Sequence, residues 1–411
     1  MFGSLFIKEC KMWLKSIVFY AYIIILFLFY VTNMDEGTLK KPKEGRDDYE
    51  WTYSDDKKVI MNRTLEDLIT DYGGDHFVTY PIGFYKEVTL SDSELKKISE
   101  YISELTGMKE EEWKAEYDKY VEGLSVSYDE NGNCVKEEAV PFGIEVSDEL
   151  SYDEFENIME KVSGIIGRGS DYEPTKLKKH GMVPKTYEQA LKEYEDILHE
   201  DKVTNAYARL FSDYLGIIIG ILPAFFAITR VIKEKRSKVS DVIYSKKMSS
   251  TVMVLSRYAS MVVMMFIPLI FVSVFALTQS LYIADAAGVS PDYFAYIKYC
   301  VLWLLPTMLF VSSLAYLITE FTKNIFAVLV SGVIWFVSLF MPLDGVFLEH
   351  VGWNYIPRFN SLGRYEAFNE MIPQLIKNRC LYSALSIIFV VLTILVYSIK
   401  RRGGIKKWKK A

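Results

Sequence analysis

Residues 258–284 read YASMVVMMFIPLIFVSVFALTQSLYIA and contain no Asp, Glu, Lys or Arg. A helix needs about 20 residues to cross the ~30 Å hydrocarbon core of a bilayer, so this stretch is long enough to span it. Five further stretches lack charge in the same way, at 16–34, 214–229, 299–319, 324–343 and 380–399. The shortest, 214–229, reaches spanning length by including residues 210–213 and Arg230. This distribution excludes a soluble cytoplasmic enzyme, and the full-length first span excludes a secreted protein with a cleaved signal.

The pattern predicts an α-helical polytopic membrane protein with six transmembrane helices. We place the helices at 16–33 and at about 210–230, 258–282, 299–319, 324–343 and 381–399. Residues 206–411 then form a membrane domain that contains five of the six helices. A cytoplasmic loop at 231–257 and an outer connection at 344–379 join these helices.

The charges of the connecting segments assign the two sides of the membrane. One set of segments has a net charge of +15 and comprises 1–15, 230–257, 320–323 and 400–411. The other set has a net charge of −21 and comprises 35–213, 285–298 and 344–379. Because cationic loops stay in the cytoplasm, both termini are predicted to be cytoplasmic, in the plasma membrane, with the large acidic domain outside. The basic clusters flank spans, so they do not indicate nucleic-acid binding.

The first and second spans are separated by a segment at 34–205 that has the signals of an extracellular α+β domain. The capping box Ser91-Asp-Ser-Glu94 predicts a helix that ends at Gly107, and Ser151-Tyr-Asp-Glu154 predicts another that ends near 167. Strands at 124–128 and 134–146 flank a hairpin turn.

The N-terminal residues 1–15 are predicted to form an amphipathic helix on the inner membrane surface. Its apolar arc contains Phe2, Leu5, Phe6, Met12 and Trp13. Glu9 also falls inside this arc, which makes the pattern imperfect. The alternative is a basic flank that anchors the first span.

Motifs for catalysis or cofactor binding are missing from the sequence. There is no GxxxxGK[ST] phosphate loop, and the four histidines have no metal-ligand spacing, so no catalytic, cofactor or metal residues are predicted. The candidate polar residues within the spans carry uncharged hydroxyl groups: Ser273, Thr307, Ser312, Ser313, Ser331 and Ser338. We favour helix packing as their role, and a hydroxyl-lined substrate pathway is the alternative.

The segment 234–249 is too regular for a simple connection. Residues 234–244 are predicted to form a short helix with Val239, Val242 and Ile243 toward the membrane or a partner. Its charged residues, Glu234, Lys235, Arg236 and Lys238, would face the cytoplasm. Topology explains the positive charge of this segment but not its ordered pattern.

Six spans, cytoplasmic termini, an interfacial N-terminal helix and this basic loop resemble the permease subunit of ABC transporters of the type-2 exporter family. The loop motif of that family is matched by Glu234, Arg236, Asp241, Val242, Ile243, Ser245 and Ser249. Lys238 and Lys247 stand where the family often has Gly and Pro. The resemblance covers the membrane half and the N-terminus, whereas 34–205 resembles the external insertion of some bacterial members only in position.

The resemblance implies an ATP-driven exporter. Two permeases, as a homo- or heterodimer in membrane lipid, would form the translocation pathway, and cytoplasmic ABC ATPase subunits would dock on 234–249, with Tyr244 among the contacts. ATP and magnesium would bind to the partner subunit and not to this chain. Family substrates include peptides, antimicrobial compounds and lipids, and the 29 Tyr and 25 Phe favour amphipathic or peptide-like cargo. The alternative is a membrane-anchored sensor or assembly scaffold that binds a ligand through the external domain.

Overall fold

The computed structural model describes most of the chain. The described residues are 1–34, 39–45, 49–81, 85–123, 127–128, 134–135, 141–237, 243–245, 247–340 and 351–403. The chain forms two compact units, one of Glu44–Tyr187 and one of Met1–Lys43 with Glu188–Ala411. The smaller unit is therefore shorter than the predicted 34–205, because the helical residues after 187 belong to the larger unit.

The larger unit, called the membrane unit below, is helical throughout its described elements. Its helices are α1 (Phe2–Trp13), α2 (Ile17–Asn33), α7 (Tyr187–Glu195), α8 (Val203–Ile219), α9 (Leu222–Arg236), α10 (Ser250–Ala286), α11 (Ala295–Tyr299), α12 (Leu305–Thr322), α13 (Phe326–Phe340) and α14 (Tyr365–Arg401). Short π-helical turns at Asp196–Glu200 and Cys300–Leu304 precede α8 and α12.

Among the residues that the structure describes, four helical runs of this unit are long and apolar enough to cross a membrane. They are Val203–Arg236, Ser250–Ala286, Ala295–Thr322 and Tyr365–Arg401. A fifth span results if α1 and α2, which meet at 69°, are counted together. Of the segment predicted as 324–343, the described residues form the apolar helix α13 up to Phe340, and 341–343 lie outside the described residues. The described residues thus form a polytopic membrane protein with four to five candidate spans, and the predicted number of six stays a prediction.

The helices extend beyond the apolar stretches that predicted them. Helix α9 continues to Arg236 and α10 begins at Ser250, so the predicted loop 231–257 is helical at both ends. Helix α14 begins at Tyr365, inside the predicted connection 344–379. The positions of the charged residues did not predict these helix ends, because a helix can continue beyond the hydrocarbon core of the bilayer.

The smaller unit combines helices with three two-stranded antiparallel pairs. Its helices are α3 (Lys57–Gly73), α4 (Asp92–Thr106), α5 (Glu110–Gly123) and α6 (Tyr152–Ile166), with a 3-10 helix at Pro174–His180. The strands β1 (Trp51–Tyr53), β2 (Phe77–Thr79), β3 (Lys86–Val88), β4 (Ser127–Tyr128), β5 (Cys134–Val135) and β6 (Met182–Pro184) pair as β1–β6, β2–β3 and β4–β5. The predicted hairpin is therefore present as β4–β5, with its turn outside the described residues, but the second strand does not extend through 141–146 as predicted, because these residues form no strand.

Local signals in the smaller unit predicted its helix ends correctly. The Glu154 carboxylate accepts a hydrogen bond from the Ser151 backbone N–H at 2.9 Å, and the Glu154 N–H donates to the Ser151 hydroxyl at 3.3 Å. Helix α4 ends at Gly107, whose left-handed backbone (φ 69°) favours glycine. The helices enclose an apolar core with Leu65, Phe77 and Trp113 at its centre.

Candidate functional site

A cluster of four charged side chains is buried where α1, α9 and α10 meet. Glu9 comes from α1, Arg230 and Glu234 lie one turn apart on α9, and Arg257 lies on α10. Their side chains are almost fully enclosed, with exposed fractions of 8% for Glu9, 11% for Arg230, 3% for Glu234 and 4% for Arg257. Burial of charge is costly unless opposite charges pair, so the cluster exists only because three helices bring it together.

Ion pairs connect the four side chains into a continuous chain. Arg230 binds Glu9 through two hydrogen bonds, from Nε at 2.7 Å and from a terminal guanidinium nitrogen at 2.6 Å. Its other terminal nitrogen lies 3.4 Å from Glu234, whose carboxylate is 2.8 Å from the guanidinium of Arg257. Arg257 also lies 3.7 Å from Glu9. Two positive and two negative charges thus neutralise one another at the junction of the three helices.

The position of Glu9 explains the imperfect amphipathic pattern of residues 1–15. Helix α1 forms as predicted, and Trp13 on its apolar arc is buried against Phe226 of α9. Glu9 lies in that arc because it faces Arg230 and Arg257 in the protein interior. A glutamate within an apolar arc was therefore the sequence signal of the cluster, although the arginines were not identifiable as its partners.

Aromatic side chains extend the cluster to the segment between α9 and α10. The Arg257 guanidinium lies 5.6 Å from the centre of the Tyr397 ring, and the Tyr244 ring packs edge-on against Tyr397 at 5.4 Å. Arg401 donates hydrogen bonds to the backbone carbonyl of Tyr244, at 2.9 Å, and to that of Met248. The end of α14 therefore holds this segment close to the charge cluster.

The predicted loop residues occupy different environments. Glu234 was predicted to face the cytoplasm, and this prediction is wrong, because the two arginines draw its carboxylate into the interior. Of the predicted helix 234–244, the residues up to Arg236 belong to α9, whose C-cap is Ser237, and Ile243 and Tyr244 are helical, whereas 238–242 lie outside the described residues. Arg236 is exposed, as predicted. Asp241 and Val242, together with Lys238 and Val239, lie outside the described residues.

The remaining loop residues divide into inward and outward positions. Ile243 and Tyr244 are half-buried and pack against the core of the membrane unit. Ser245 is exposed. Ser249 caps α10, because its hydroxyl accepts a hydrogen bond from the Val252 N–H at 3.2 Å. The structure thus brings Tyr244 close to the charge cluster and leaves Arg236 and Ser245 at the surface.

The candidate pathway hydroxyls mostly bind their own helices. Ser273 donates to the Ile270 carbonyl at 2.8 Å, Ser312 to Met308 at 2.6 Å and Ser313 to Phe310 at 2.9 Å. Ser331 is buried on α13, and Ser338 is half-buried on the same helix. Side-chain bonds to a carbonyl three or four residues earlier are typical of packed membrane helices.

Thr307 belongs to a polar network that the sequence reasoning missed. Its hydroxyl accepts from Arg379 at 2.7 Å and donates to the Tyr355 carbonyl at 2.8 Å. Arg379 was placed just before the predicted span at 381, but it lies inside α14 and is buried. Among the described residues, its hydrogen-bond acceptors are all uncharged, namely the Trp303 and Tyr355 carbonyls, Thr307 and Asn378.

Comparison with known protein families identifies the chain. A family model described as ABC-2 family transporter protein matches residues 11–399. The chain belongs to the ABC-2 transporter family. No curated protein and no solved structure matches it significantly. Family membership makes this chain a membrane-spanning transporter permease, the transport subunit and not itself the ATPase, which ABC-2 permeases normally have as a separate subunit.

Proposed function

We propose that this ABC-2 permease is the membrane subunit of an ATP-driven exporter and that the buried charge cluster couples it to its ATPase. The observation that carries this proposal is the position of the cluster, which joins α1, α9 and α10 next to the segment 243–249. A force applied to that segment reaches three helices through buried ion pairs and not through flexible connections. Buried charges of opposite sign are suited to this role because their pairing favours one geometry.

The contact surface for the ATPase follows from the exposures within the segment. Because Ile243 and Tyr244 pack inward, they hold the segment against the membrane unit, and the partner binds the exposed residues around them. Arg236 and Ser245 are exposed members of the loop motif among the described residues, whereas Lys247 is exposed but lies outside that motif. This arrangement revises the expectation that Tyr244 itself fills a groove on the ATPase.

The remaining features of the proposed exporter rest on charge and exposure. The +15 and −21 charge sums support cytoplasmic termini and an extracellular smaller unit. Helix α13 has only Ala327 and Ser331 buried among its residues, so most of its apolar surface is available to lipid or to a second permease. We propose a dimer with the pathway at its interface, and amphipathic, peptide-like or lipid-like cargo.

Association with the ATPase and stimulation of its activity test the coupling. In nanodiscs, Tyr244→Ala should retain membrane insertion and ATPase binding but reduce permease-dependent ATP hydrolysis several-fold, because the inward anchor of the segment is lost. Lys247→Ala is the matched control, since it removes an exposed side chain three positions away. Full stimulation by Tyr244→Ala, with loss in Lys247→Ala, would refute the proposed route of coupling.

A further inference from the structure

The helical run Val203–Arg236 is interrupted between α8 and α9. The residues at the interruption, Gly220-Ile-Leu-Pro223, explain why it occurs there. Proline has no backbone N–H and clashes with the preceding turn, and glycine is a poor helix former. A helix that crosses the membrane is thereby divided into two arms of 17 and 15 residues.

The interruption leaves several carbonyl groups without their helical donors, among them those of Ile217 and Gly220. The Ile221 N–H donates to the Ile218 carbonyl at 3.1 Å, so it does not reach the carbonyl of Ile217. The Ala224 N–H donates to the Ile221 carbonyl at 3.1 Å, so it does not reach the carbonyl of Gly220. An unpaired carbonyl within a bilayer costs several kcal/mol, so both groups need other donors.

Two aromatic side chains from other segments supply those donors. Trp335 of α13 donates from Nε1 to the Ile217 carbonyl at 2.7 Å. Tyr355 donates its hydroxyl proton to the Gly220 carbonyl at 3.0 Å. The two bonds therefore satisfy the carbonyls of Ile217 and Gly220.

Close packing also depends on Gly220. A Cβ atom at this position would lie 2.4 Å from Cδ1 of Ile356 and 3.1 Å from Cδ1 of Trp335, which is too close. At Gly216, one turn earlier, a Cβ atom would lie 3.7 Å from its nearest neighbour, Cγ2 of Ile356, in ordinary contact. Trp335, one of the two donors, and Ile356, which follows the other donor in the chain, thus pack directly on the glycine.

Helix α8 is anchored independently of α9. Asp213 accepts two hydrogen bonds from the Arg358 guanidinium, at 2.8 and 2.9 Å, and one from the Phe359 N–H at 2.6 Å. Arg209 binds Asp201 through a further buried ion pair. At the other end of the run, α9 carries Arg230 and Glu234 into the charge cluster.

We propose that Gly220–Ile221 is a hinge, and that Trp335 and Tyr355 are the latch that keeps the helix interrupted, because they occupy the Ile217 and Gly220 carbonyls that the Ile221 and Ala224 N–H groups would bind in a continuous helix. Release of the two hydrogen bonds frees these carbonyls, so that α9 changes direction together with the charge cluster while α8 stays fixed by Arg358. At ~1.5 Å per residue α9 is about 22 Å long, so a swing of about 15° moves its Arg236 end by about 6 Å. The use of this movement rests on the proposed coupling role of the cluster, whereas the hinge itself is a property of this chain alone.

Spin labels on the chain in lipid nanodiscs, without any ATPase, test the hinge. In a background with Cys10, Cys134, Cys300 and Cys380 replaced by alanine, one label pair replaces the exposed residues Lys233 and Phe321. A control pair replaces Lys202 and Tyr293, at the opposite end of the run. The double variant Trp335→Phe with Tyr355→Phe keeps both aromatic rings and removes both hydrogen bonds. We expect it to shift or broaden the first distance distribution by about 6 Å and to leave the control distribution unchanged.

Two results would overturn the hinge: an unchanged first distribution, or equal broadening of both. If the double variant does not fold, the same label pairs are measured in Gly220→Ala, and this variant tests the hinge. Gly216→Ala is its matched control. Gly220→Ala should broaden the first distribution because it displaces Ile356 and Trp335, whereas Gly216→Ala should not; equal behaviour of the two would also refute the hinge. Since no ATPase is present, failure of the coupling proposal leaves this outcome unaffected.

Discussion

Replacement of Glu9 by glutamine isolates the energetic role of the charge cluster. Glutamine keeps the size of the side chain but removes the charge, so Arg230 and Arg257 share only Glu234. Two unit charges about 4 Å apart interact by about 4 kcal/mol at an effective dielectric constant of ~20. Loss of one partner of a buried ion pair typically costs about 3–5 kcal/mol. We therefore expect Glu9→Gln to destabilise the membrane unit by about 3 kcal/mol.

The measurement is reversible unfolding of the purified chain in mixed micelles, followed by the fluorescence change of its tryptophans, which include the buried Trp13. Lys192→Gln is the matched control, because Lys192 and Glu366 form an exposed pair at 3.0 Å in the same unit. Exposed pairs contribute about 0–1 kcal/mol. The double variant Glu9→Gln with Arg230→Met should recover most of the loss, since it removes a charge of each sign. A Glu9→Gln effect no larger than the control, or no recovery in the double variant, would refute the reasoning.

Three further predictions concern the smaller unit and the orientation of the chain. Ser151→Ala should lower the unfolding free energy of the smaller unit, expressed alone, by about 1 kcal/mol, because it removes a helix cap; urea titration measures this. The Ser151 hydroxyl and backbone N–H lower the pKa of Glu154. The stability that the Glu154 carboxylate contributes is therefore present above its unfolded pKa and is lost as pH falls through its folded pKa, and Glu154→Gln should flatten this acid dependence. Burial raises the pKa of Asp71, despite the hydrogen bond from Tyr172. The folded state therefore becomes less stable relative to the unfolded chain as pH rises and the buried Asp71 carboxyl must ionise. Asp71→Asn should therefore gain stability relative to the native chain at pH 7 and not at pH 3, and a constant difference would contradict this. Cysteines at Ser93 and Ser237 should respectively react and not react with an impermeant thiol reagent on intact cells, and the reverse would overturn the proposed orientation.

Features set by neighbouring residues were predictable from the sequence. The capping boxes at Ser91 and Ser151 and the terminating Gly107 gave correct helix ends, because each depends on hydrogen bonds or a backbone angle within a few residues. The apolar stretches likewise located the membrane helices, because the length of an apolar run decides whether it crosses a bilayer. The family resemblance rested on the same information, and the family match confirms it.

Features set by distant residues were not predictable. Glu234 was predicted to be exposed because it lies in a basic loop, but Arg230 and Arg257 draw it inward. Arg379 was predicted to lie at the edge of a span, but carbonyl groups from two other segments solvate its guanidinium inside the protein. A charge count along the chain does not reveal such partners, since Arg257 lies 23 positions from Glu234 and Thr307 lies 72 positions from Arg379.

The sequence by itself determined that the chain is a polytopic membrane protein of this transporter family, and where its apolar helices lie. These properties follow from local hydrophobicity and from charge bias, which need no knowledge of packing. Only the tertiary structure decided that Glu9, Arg230, Glu234 and Arg257 meet, and that Trp335 and Tyr355 close the break at Gly220. The physical reason is that a buried charge or carbonyl is stable only with a partner, and the fold chooses which residue becomes that partner.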